Sequence, residues 1–213
     1  MKFNQLPLTE PLLKAVDSQG YTTPTPIQQQ AIPILLNGED LLGTAQTGTG
    51  KTLAYMLPLL QDLKYSEQLT PRVLVLVPTR ELALQVAEVL QPIGKECNRV
   101  ILPVYGGASR DDQIEALEKG VDIIVATPLR LIDLMKADEV DMSDVQVVTL
   151  DEADRMMDMG FIDEINMILK RLPKNRQTLL FSATLDDSIF ALSKTLLNQP
   201  KIIETAQRNA VAE

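Results

Sequence analysis

Two glycines, a lysine and a threonine lie close together in the segment AQTGTGKT, between an apolar run and a helical pattern. Gly48 and Gly50 let backbone amides curl inward without obstruction by a Cβ, and the start of the following helix adds a partial positive charge. In such a loop a lysine reaches the outer phosphates of a nucleotide, and a threonine hydroxyl ligates magnesium. The candidate phosphate-binding loop comprises Ala45, Gln46, Thr47, Gly48, Thr49, Gly50, Lys51 and Thr52.

One position of the loop departs from the pattern G-x-x-x-x-G-K followed by Ser or Thr, because Ala45 stands where the first glycine is usual. Ala45 must therefore adopt its backbone angles with a Cβ. We expect Lys51 to lie on the solvent side of the loop, where it contacts phosphates and packs little. The alternative interpretation is a glycine-rich surface turn that carries an incidental lysine.

A phosphate-binding loop needs an acidic partner that holds the metal ion and positions water. The segment VVTLDEADRMMDMGF supplies it, because its apolar run ends at Leu150 and is followed directly by Asp151 and Glu152. Asp151 suits a magnesium carboxylate, and Glu152 suits a residue that orients or activates the attacking water. We therefore assign catalysis to Lys51, Asp151 and Glu152, and metal binding to Thr52 and Asp151. The alternative is an acid pair at the start of a helix.

The apolar runs of the chain predict the scaffold that positions these segments. Short β-branched runs indicate strands at residues 40–44, 73–77, 99–104, 122–127, 145–150 and 178–183. Helical spacing lies between them, at residues 51–60, 79–93, 109–120 and 161–172. This alternation implies right-handed crossovers, so we predict an α/β fold of three layers, with a central parallel sheet and helices on both faces. Ligands of such sheets bind at the carboxyl ends of the strands.

Composition narrows the chemistry further. The 213 residues include no histidine, which excludes Ser-His-Asp catalysis and imidazole-ligated metal sites. With 20 basic and 29 acidic residues the net charge is −9, so nucleic acid would have to bind in a local groove. Cys97 is the single cysteine, which fits a reducing compartment. The sequence has neither an 18-residue apolar run nor a signal peptide, so we expect a cytoplasmic protein without a membrane segment.

Four motifs follow one another along the chain: AQTGTGKT at 45–52, PTRELA at 78–83, DEAD at 151–154 and SAT at 182–184. Together they resemble the first RecA-like domain of a DEAD-box RNA helicase. The resemblance implies a RecA-like P-loop NTPase fold for residues 1–205, with ATP and Mg²⁺ as cofactors. The segment GYTTPTPIQ at 20–28 resembles the family's Q motif, so residues 1–28 form the Q motif region.

The Q motif resemblance implies three adenine-side residues. Gln28 would recognise the adenine edge through its amide, Tyr21 would stack on the ring, and Phe3 occupies the place of the motif's upstream aromatic. The same residues also have a purely structural interpretation, as the start of a helix. Thr25 fits a helix N-cap followed by proline, with Gln28 at the third helical position as in a capping box. Both interpretations can hold at once.

The resemblance also implies an RNA groove built from loops that follow strands. Its arginines would pair with phosphates and its hydroxyls and backbone amides would hydrogen-bond them, so RNA would bind without sequence preference. Leu129 stands where the family's TPGR motif has glycine, which affects how closely RNA packs there. Taken singly, the two threonines are plausible N-caps and the glycine pair a plain turn. The groove set is Pro78, Thr79, Arg80, Gly106, Gly107, Thr127, Pro128 and Arg130.

The SAT motif would couple the two sites. The resemblance implies that Ser182 and Thr184 bond the Asp154 carboxylate and so link the nucleotide side to the RNA side. The alternative is a strand end followed by a helix cap at Thr184.

A DEAD-box helicase has two RecA-like domains, and the sequence contains no HRIGR-like segment of the second. We interpret residues 206–213 as the start of the interdomain linker. The expected partners are RNA and a second RecA-like domain, and we expect a monomer. The chain is then the ATP-binding half of an enzyme that couples ATP hydrolysis to RNA binding and local unwinding, nearly inactive alone. The alternative function is a non-catalytic adenine-nucleotide-binding scaffold module.

Overall fold

The computed structural model describes residues 1–64 and 69–205. Within these ranges, seven strands form one sheet in the order β3-β4-β2-β5-β6-β1-β7. Every pair of neighbouring strands is parallel. The strands are β1 Leu41–Thr44, β2 Val73–Leu76, β3 Ile101–Val104, β4 Ile123–Ala126, β5 Val147–Leu150, β6 Gln177–Ser182 and β7 Lys201–Glu204. The predicted α/β fold with a parallel sheet is confirmed.

Helices cover both faces of this sheet. After a short 3-10 turn at Phe3–Gln5, the helices are α1 Glu10–Ser18, α2 Pro26–Leu36, α3 Lys51–Asp62, α4 Arg80–Glu96, α5 Arg110–Glu118, α6 Pro128–Lys136, α7 Ala153–Asp158, α8 Ile162–Lys170 and α9 Asp187–Leu196. Helices α1 to α4 contribute to the core on one face, and α5 to α9 to the core on the other.

Alternation along the strands explains the two cores. In β2, Val73 and Val75 point into the core shared with α1 to α4, whereas Leu74 and Leu76 point into the opposite one. A strand whose successive side chains are buried on both faces reads as a continuous apolar run. This is why six of the strands were visible in the sequence.

Strand β7 was not predicted. Three of its four residues are exposed and only Ile203 is buried, because β7 pairs with β1 at the edge of the sheet. A strand with one buried side chain has no apolar run to reveal it. Residues 206–213, interpreted as the start of a linker, lie outside the described residues. No helix in the described part of the chain combines the length and the hydrophobicity that crossing a membrane requires.

Candidate functional site

The carboxyl ends of the strands gather the predicted site residues along one edge of the sheet. Strands β1, β6 and β5 are neighbours, and they lead into the phosphate-binding loop, the SAT motif and the DEAD motif. Strands β2, β4 and β3 continue the edge and lead into the loops of the predicted RNA groove. Strand order alone therefore places the loops of the predicted nucleotide site next to those of the predicted RNA groove.

The phosphate-binding loop runs from β1 to α3, which begins at Lys51. Gly48 and Gly50 have φ angles of 82° and 86°, in the left-handed region that favours glycine. A Cβ on Gly50 would lie 2.5 Å from the Gln28 Nε2 atom, so the loop is packed closely against the Q motif region. Ala45 has no positive φ, and its N–H donates to the Ser182 carbonyl at 3.0 Å. Its Cβ is therefore accommodated without strain.

Lys51 does not lie on the solvent side of the loop, and that expectation was wrong. Its side chain is 6% exposed, and Nζ lies 3.5 Å from Oδ1 of Asp151, whose side chain is 3% exposed. The opposite charge of a carboxylate at the end of β5 draws the ammonium inward. Neither of these two atoms has a hydrogen-bond partner among the described residues.

The second oxygen of Asp151 has a partner that the sequence did not indicate. The Tyr55 hydroxyl donates to Oδ2 at 2.9 Å, and both side chains are buried. Burial raises the pKa of Asp151, and the Lys51 charge and the Tyr55 hydrogen bond offset part of that rise. Burial, with the Asp151 charge second, also raises the pKa of Tyr55 well above its usual value. Asp151 is thus held by two residues of α3, one helical turn apart.

Glu152 has φ 54° and ψ 50°, a left-handed conformation that costs a non-glycine residue roughly 1–2 kcal/mol. It occupies the N-cap position of α7, as the structural alternative expected, but its side chain makes no capping hydrogen bond. Instead Oε1 accepts from the Thr47 hydroxyl at 3.3 Å, and Oε2 lies 3.4 Å from the Arg155 guanidinium. The carboxylate therefore faces the phosphate-binding loop.

A cleft of about 540 Å³ joins this loop to the Q motif region. Among its lining residues are Tyr21, Gln28, Lys51, Thr52, Asp151 and Glu152. The Tyr21 ring is exposed, which leaves it open to a flat ligand. Phe3 does not line this cleft. It is buried in the core and borders a neighbouring cavity, whose wall it shares with Tyr21.

Gln28 satisfies the structural interpretation of the Q motif. Its Oε1 accepts the Thr25 N–H at 2.9 Å, and Pro26 begins α2, so the Gln28 half of the predicted capping box is confirmed. The Thr25 hydroxyl has no hydrogen-bond partner among the described residues, so the reciprocal half is not formed. Its Nε2 donates to the Gly50 carbonyl at 3.1 Å, which ties α2 to the phosphate-binding loop. Because Gln28 also lines the cleft, the capping role leaves recognition of adenine open as a prediction.

The predicted RNA residues meet in a second, smaller cavity of about 250 Å³. Arg80, Gly106, Thr127, Pro128 and Arg130 line it together with Leu129, Asp133 and Phe161. The exposed side chain of Leu129 borders this surface, so the residue that replaces the family glycine lies within the groove.

Three of the predicted groove residues, Pro78, Thr79 and Gly107, are not among those that line this cavity. A Cβ on Gly107 would lie 3.3 Å from Arg80 Nη1. Pro78 is buried, and Thr79 is the N-cap of α4, where its hydroxyl accepts the Leu82 N–H at 3.2 Å. The capping alternative is therefore confirmed for Thr79. Thr127 occupies the N-cap position of α6 without a capping hydrogen bond from its side chain.

The SAT motif contacts the DEAD motif through its backbone. Oδ2 of Asp154 accepts the Ala183 N–H at 3.3 Å, whereas the Ser182 hydroxyl accepts the Thr184 N–H at 3.4 Å. The two motifs thus meet as expected, although the contact does not use the predicted hydroxyls. The alternative of a helix cap at Thr184 is wrong, because Asp186 caps α9 through its bond from the Ile189 N–H.

Comparison with known proteins decides the family. A family model described as DEAD/DEAH box helicase matches residues 25–192. The chain belongs to this family.

Relatives and a solved structure agree with this assignment. The chain is 49% identical over 201 residues to "Probable ATP-dependent RNA helicase ddx27" of Dictyostelium discoideum, covering 93% of this chain and 26% of that protein. It is 44% identical over 213 residues to "DEAD-box ATP-dependent RNA helicase CshA" of Streptococcus pneumoniae, covering 100% of this chain and 40% of that protein. A crystal structure of a DEAD box protein from Methanococcus jannaschii has a TM-score of 0.91 at 37% identity, covering 97% of this chain and 56% of that one. The predicted RecA-like fold is confirmed, and the chain spans two fifths or less of these curated relatives.

Proposed function

We propose that this DEAD-box chain is the ATP-binding half of an RNA helicase, which couples ATP binding and hydrolysis to RNA binding and local duplex unwinding. One observation carries the proposal. Lys51 and Asp151 pair at 3.5 Å in a cleft that Gln28 and the exposed Tyr21 also line, so a buried charged pair and an aromatic ring open to a flat ligand belong to one cavity. A nucleotide carries charged phosphates and a flat base, which match these two features.

Magnesium suits the donor atoms of this cleft. Mg²⁺ prefers oxygen ligands and is usually held by one or two carboxylates together with substrate phosphates. Within the described residues there is no group of three or more acidic, histidine or cysteine side chains that could hold a metal alone. Asp151, whose Oδ1 lacks a hydrogen bond there, and the Thr52 hydroxyl would hold the ion. When bound, Mg²⁺ neutralises charge that develops on the phosphates.

The chain's own residues would share the remaining tasks. The Lys51 ammonium would exchange part of its pairing with Asp151 for the outer phosphates. Glu152, whose carboxylate lies at the loop, would orient the attacking water and accept its proton. Tyr21 would stack on adenine, and the free N–H of the Gln28 amide would face its edge.

RNA would bind along the other half of the sheet edge. Arg80 and Arg130 border the same small cavity, at the starts of α4 and α6. Guanidinium groups and helix-start amides bind phosphate oxygens without reading bases. The Asp154 to Ala183 hydrogen bond joins the DEAD and SAT motifs, to which we assign coupling between this half and the nucleotide cleft. A net charge of −9 is compatible with such a groove, since a second domain would supply its other wall.

A second RecA-like domain is part of the proposal. Phosphoryl transfer gains about 10³- to 10⁵-fold from an arginine that neutralises the transferring group, and we assign that arginine to the second domain. The cleft combines three candidate catalytic residues, Lys51, Asp151 and Glu152. This combination favours an enzyme over the scaffold module, because a scaffold needs no water-orienting carboxylate. We also place the protein in the cytoplasm, acting as a monomer.

Hydrolysis assays test this function. The chain of 213 residues should bind ATP yet show almost no RNA-stimulated hydrolysis or strand separation. A protein extended by the second domain should show both activities. In that longer protein, Glu152→Gln should abolish hydrolysis while ATP-dependent RNA binding persists. Robust RNA-stimulated turnover by the short chain that is absent from its Glu152→Gln form would contradict the half-enzyme proposal.

A further inference from the structure

Helix α3 carries a buried hydroxyl beside the candidate magnesium carboxylate. Tyr55 follows Lys51 by four residues, so the two side chains lie on the same face of α3. The Tyr55 side chain is fully buried, and its hydroxyl donates to Oδ2 of Asp151 at 2.9 Å. Residues of one helical turn thus contact both oxygens of a single carboxylate.

The position of this hydroxyl is fixed by the packing of its ring. The Tyr55 ring contacts Phe181 of β6, with centroids 5.3 Å apart and an interplanar angle of 42°. Phe181 in turn fills the space above Gly43 of β1, where a Cβ would lie 2.7 Å from Phe181 Cε1. Closely packed rings of this kind leave the hydroxyl little freedom to move. The hydroxyl is therefore a rigid donor.

The hydrogen bond distinguishes the two oxygens of Asp151. Oδ2 is occupied by Tyr55, whereas Oδ1 is buried, faces Lys51 at 3.5 Å and has no hydrogen bond within the described residues. Rotation of the carboxylate would break the Tyr55 bond and leave a buried oxygen unsatisfied, which is unfavourable. The orientation in which Oδ1 faces Lys51 of the phosphate-binding loop is thereby held in place.

We propose that Tyr55 is a positioning residue, which presents Oδ1 of Asp151 to the magnesium ion that accompanies the nucleotide. This role rests on the proposed function and adds a residue outside the DEAD motif and the phosphate-binding loop. Hydrogen-bond partners of metal ligands fix the orientation of the ligand, and their removal weakens metal binding about 10- to 100-fold. Phenylalanine in this place would pack in the same way but would leave the carboxylate unoriented.

Calorimetric titration of the purified chain with ADP, over a series of Mg²⁺ concentrations and in EDTA, tests the role. In Tyr55→Phe the Mg²⁺ concentration that half-saturates the gain in ADP affinity should rise about tenfold. Affinity for ADP in EDTA should stay at the wild-type value. Phe181→Leu, which keeps the hydroxyl but removes the ring that fixes it, should shift the same midpoint by less and in the same direction.

Thr149→Val is the matched control. Thr149 lies on β5 two residues before Asp151, its hydroxyl is fully buried, and it has no hydrogen-bond partner among the described residues. Its loss should leave the Mg²⁺ midpoint unchanged. An unchanged midpoint in Tyr55→Phe, or a shift in Thr149→Val equal to that in Tyr55→Phe, would overturn the role of Tyr55.

Two further outcomes distinguish failure of the positioning role of Tyr55 from failure of the proposed function. Equal loss of ADP affinity with and without Mg²⁺ in Tyr55→Phe would show that the hydroxyl acts on folding alone, and would overturn the positioning role. Absence of any Mg²⁺-dependent ADP binding in the wild-type chain would overturn the proposed function, and the positioning role with it.

Discussion

The Lys51 ammonium and the Asp151 carboxylate lie 3.5 Å apart, and the two side chains are 6% and 3% exposed. Each charge of a pair so far from water is stabilised largely by the opposite charge. Removing one partner therefore leaves the other charge buried and unpaired. The pair is therefore both the anionic ligand's candidate site and a structural element of the fold.

Replacing Lys51 with methionine should lower stability at neutral pH by about 3 kcal/mol, the low end for breaking a buried ion pair. Burial already raises the pKa of Asp151 above its usual 3.8, and losing the lysine raises it further. A carboxyl whose folded-state pKa exceeds its unfolded value loses stability as pH rises through the folded pKa. The deficit of the variant should thus grow with rising pH and shrink toward pH 4, near the usual pKa of 3.8. Urea unfolding across that range measures it, and a pH-independent deficit would argue against the buried pair.

Replacing Gln28 with alanine should remove most of the preference for adenine over guanine nucleotides. A paired amide at a base edge contributes about 1–3 kcal/mol of discrimination. Gln29 is a matched control, because its Nε2 donates to the Pro24 carbonyl at 2.8 Å and it is absent from the cleft lining. Gln29→Ala should therefore keep the preference. If the wild-type chain binds GDP as tightly as ADP, Gln28 is only a capping residue.

Replacing Gly50 with alanine should be more destabilising than replacing Gly20. Both glycines have left-handed φ angles, 86° and 81°, which cost a side chain roughly 1–2 kcal/mol. A Cβ on Gly20 meets nothing within 4 Å, whereas a Cβ on Gly50 would lie 2.5 Å from Gln28 Nε2. Denaturant unfolding of the two variants gives the difference. Equal losses would mean that the loop and α2 are not packed as described.

Replacing Arg130 with alanine should weaken RNA binding uniformly across sequences and reduce the magnitude of the salt-dependence slope by about one. Fluorescence anisotropy with several single-stranded RNAs, in a protein that carries the second domain, measures both quantities. Arg171 borders a separate cavity at the end of α8 and serves as the control. An effect of Arg171→Ala equal to that of Arg130→Ala would indicate general charge attraction rather than the groove.

The elements that the sequence predicts correctly are those whose signal is local. Six strands carry apolar runs because both their faces are buried, and the cap that Gln28 provides to the Thr25 N–H joins residues only three positions apart. Strand β7 was not predicted because its pairing with β1 buries only Ile203, so the sequence has no apolar run there.

The site was harder to predict where residues distant along the chain meet. The Tyr55 hydroxyl contacts a carboxylate 96 positions away, and no local pattern marks such a pair. The burial of Lys51 depends on the same carboxylate. Phe3 matched a motif position, yet its side chain joins the core beside the cleft, since burial of an aromatic ring is strongly favourable.

The central claim is that a nucleotide binds where Lys51 and Asp151 meet, and calorimetric titration of the chain with Mg²⁺ and ATP tests it most directly. The wild-type chain should bind one ATP, and Lys51→Met should lose at least about tenfold in affinity, since a phosphate contact to a charged group contributes roughly 1.5–3 kcal/mol. Lys201→Met, which removes a lysine from the surface pair with Glu39, should bind ATP like the wild type. Equal ATP affinity in the wild-type and Lys51→Met chains, with both folded, would contradict the account.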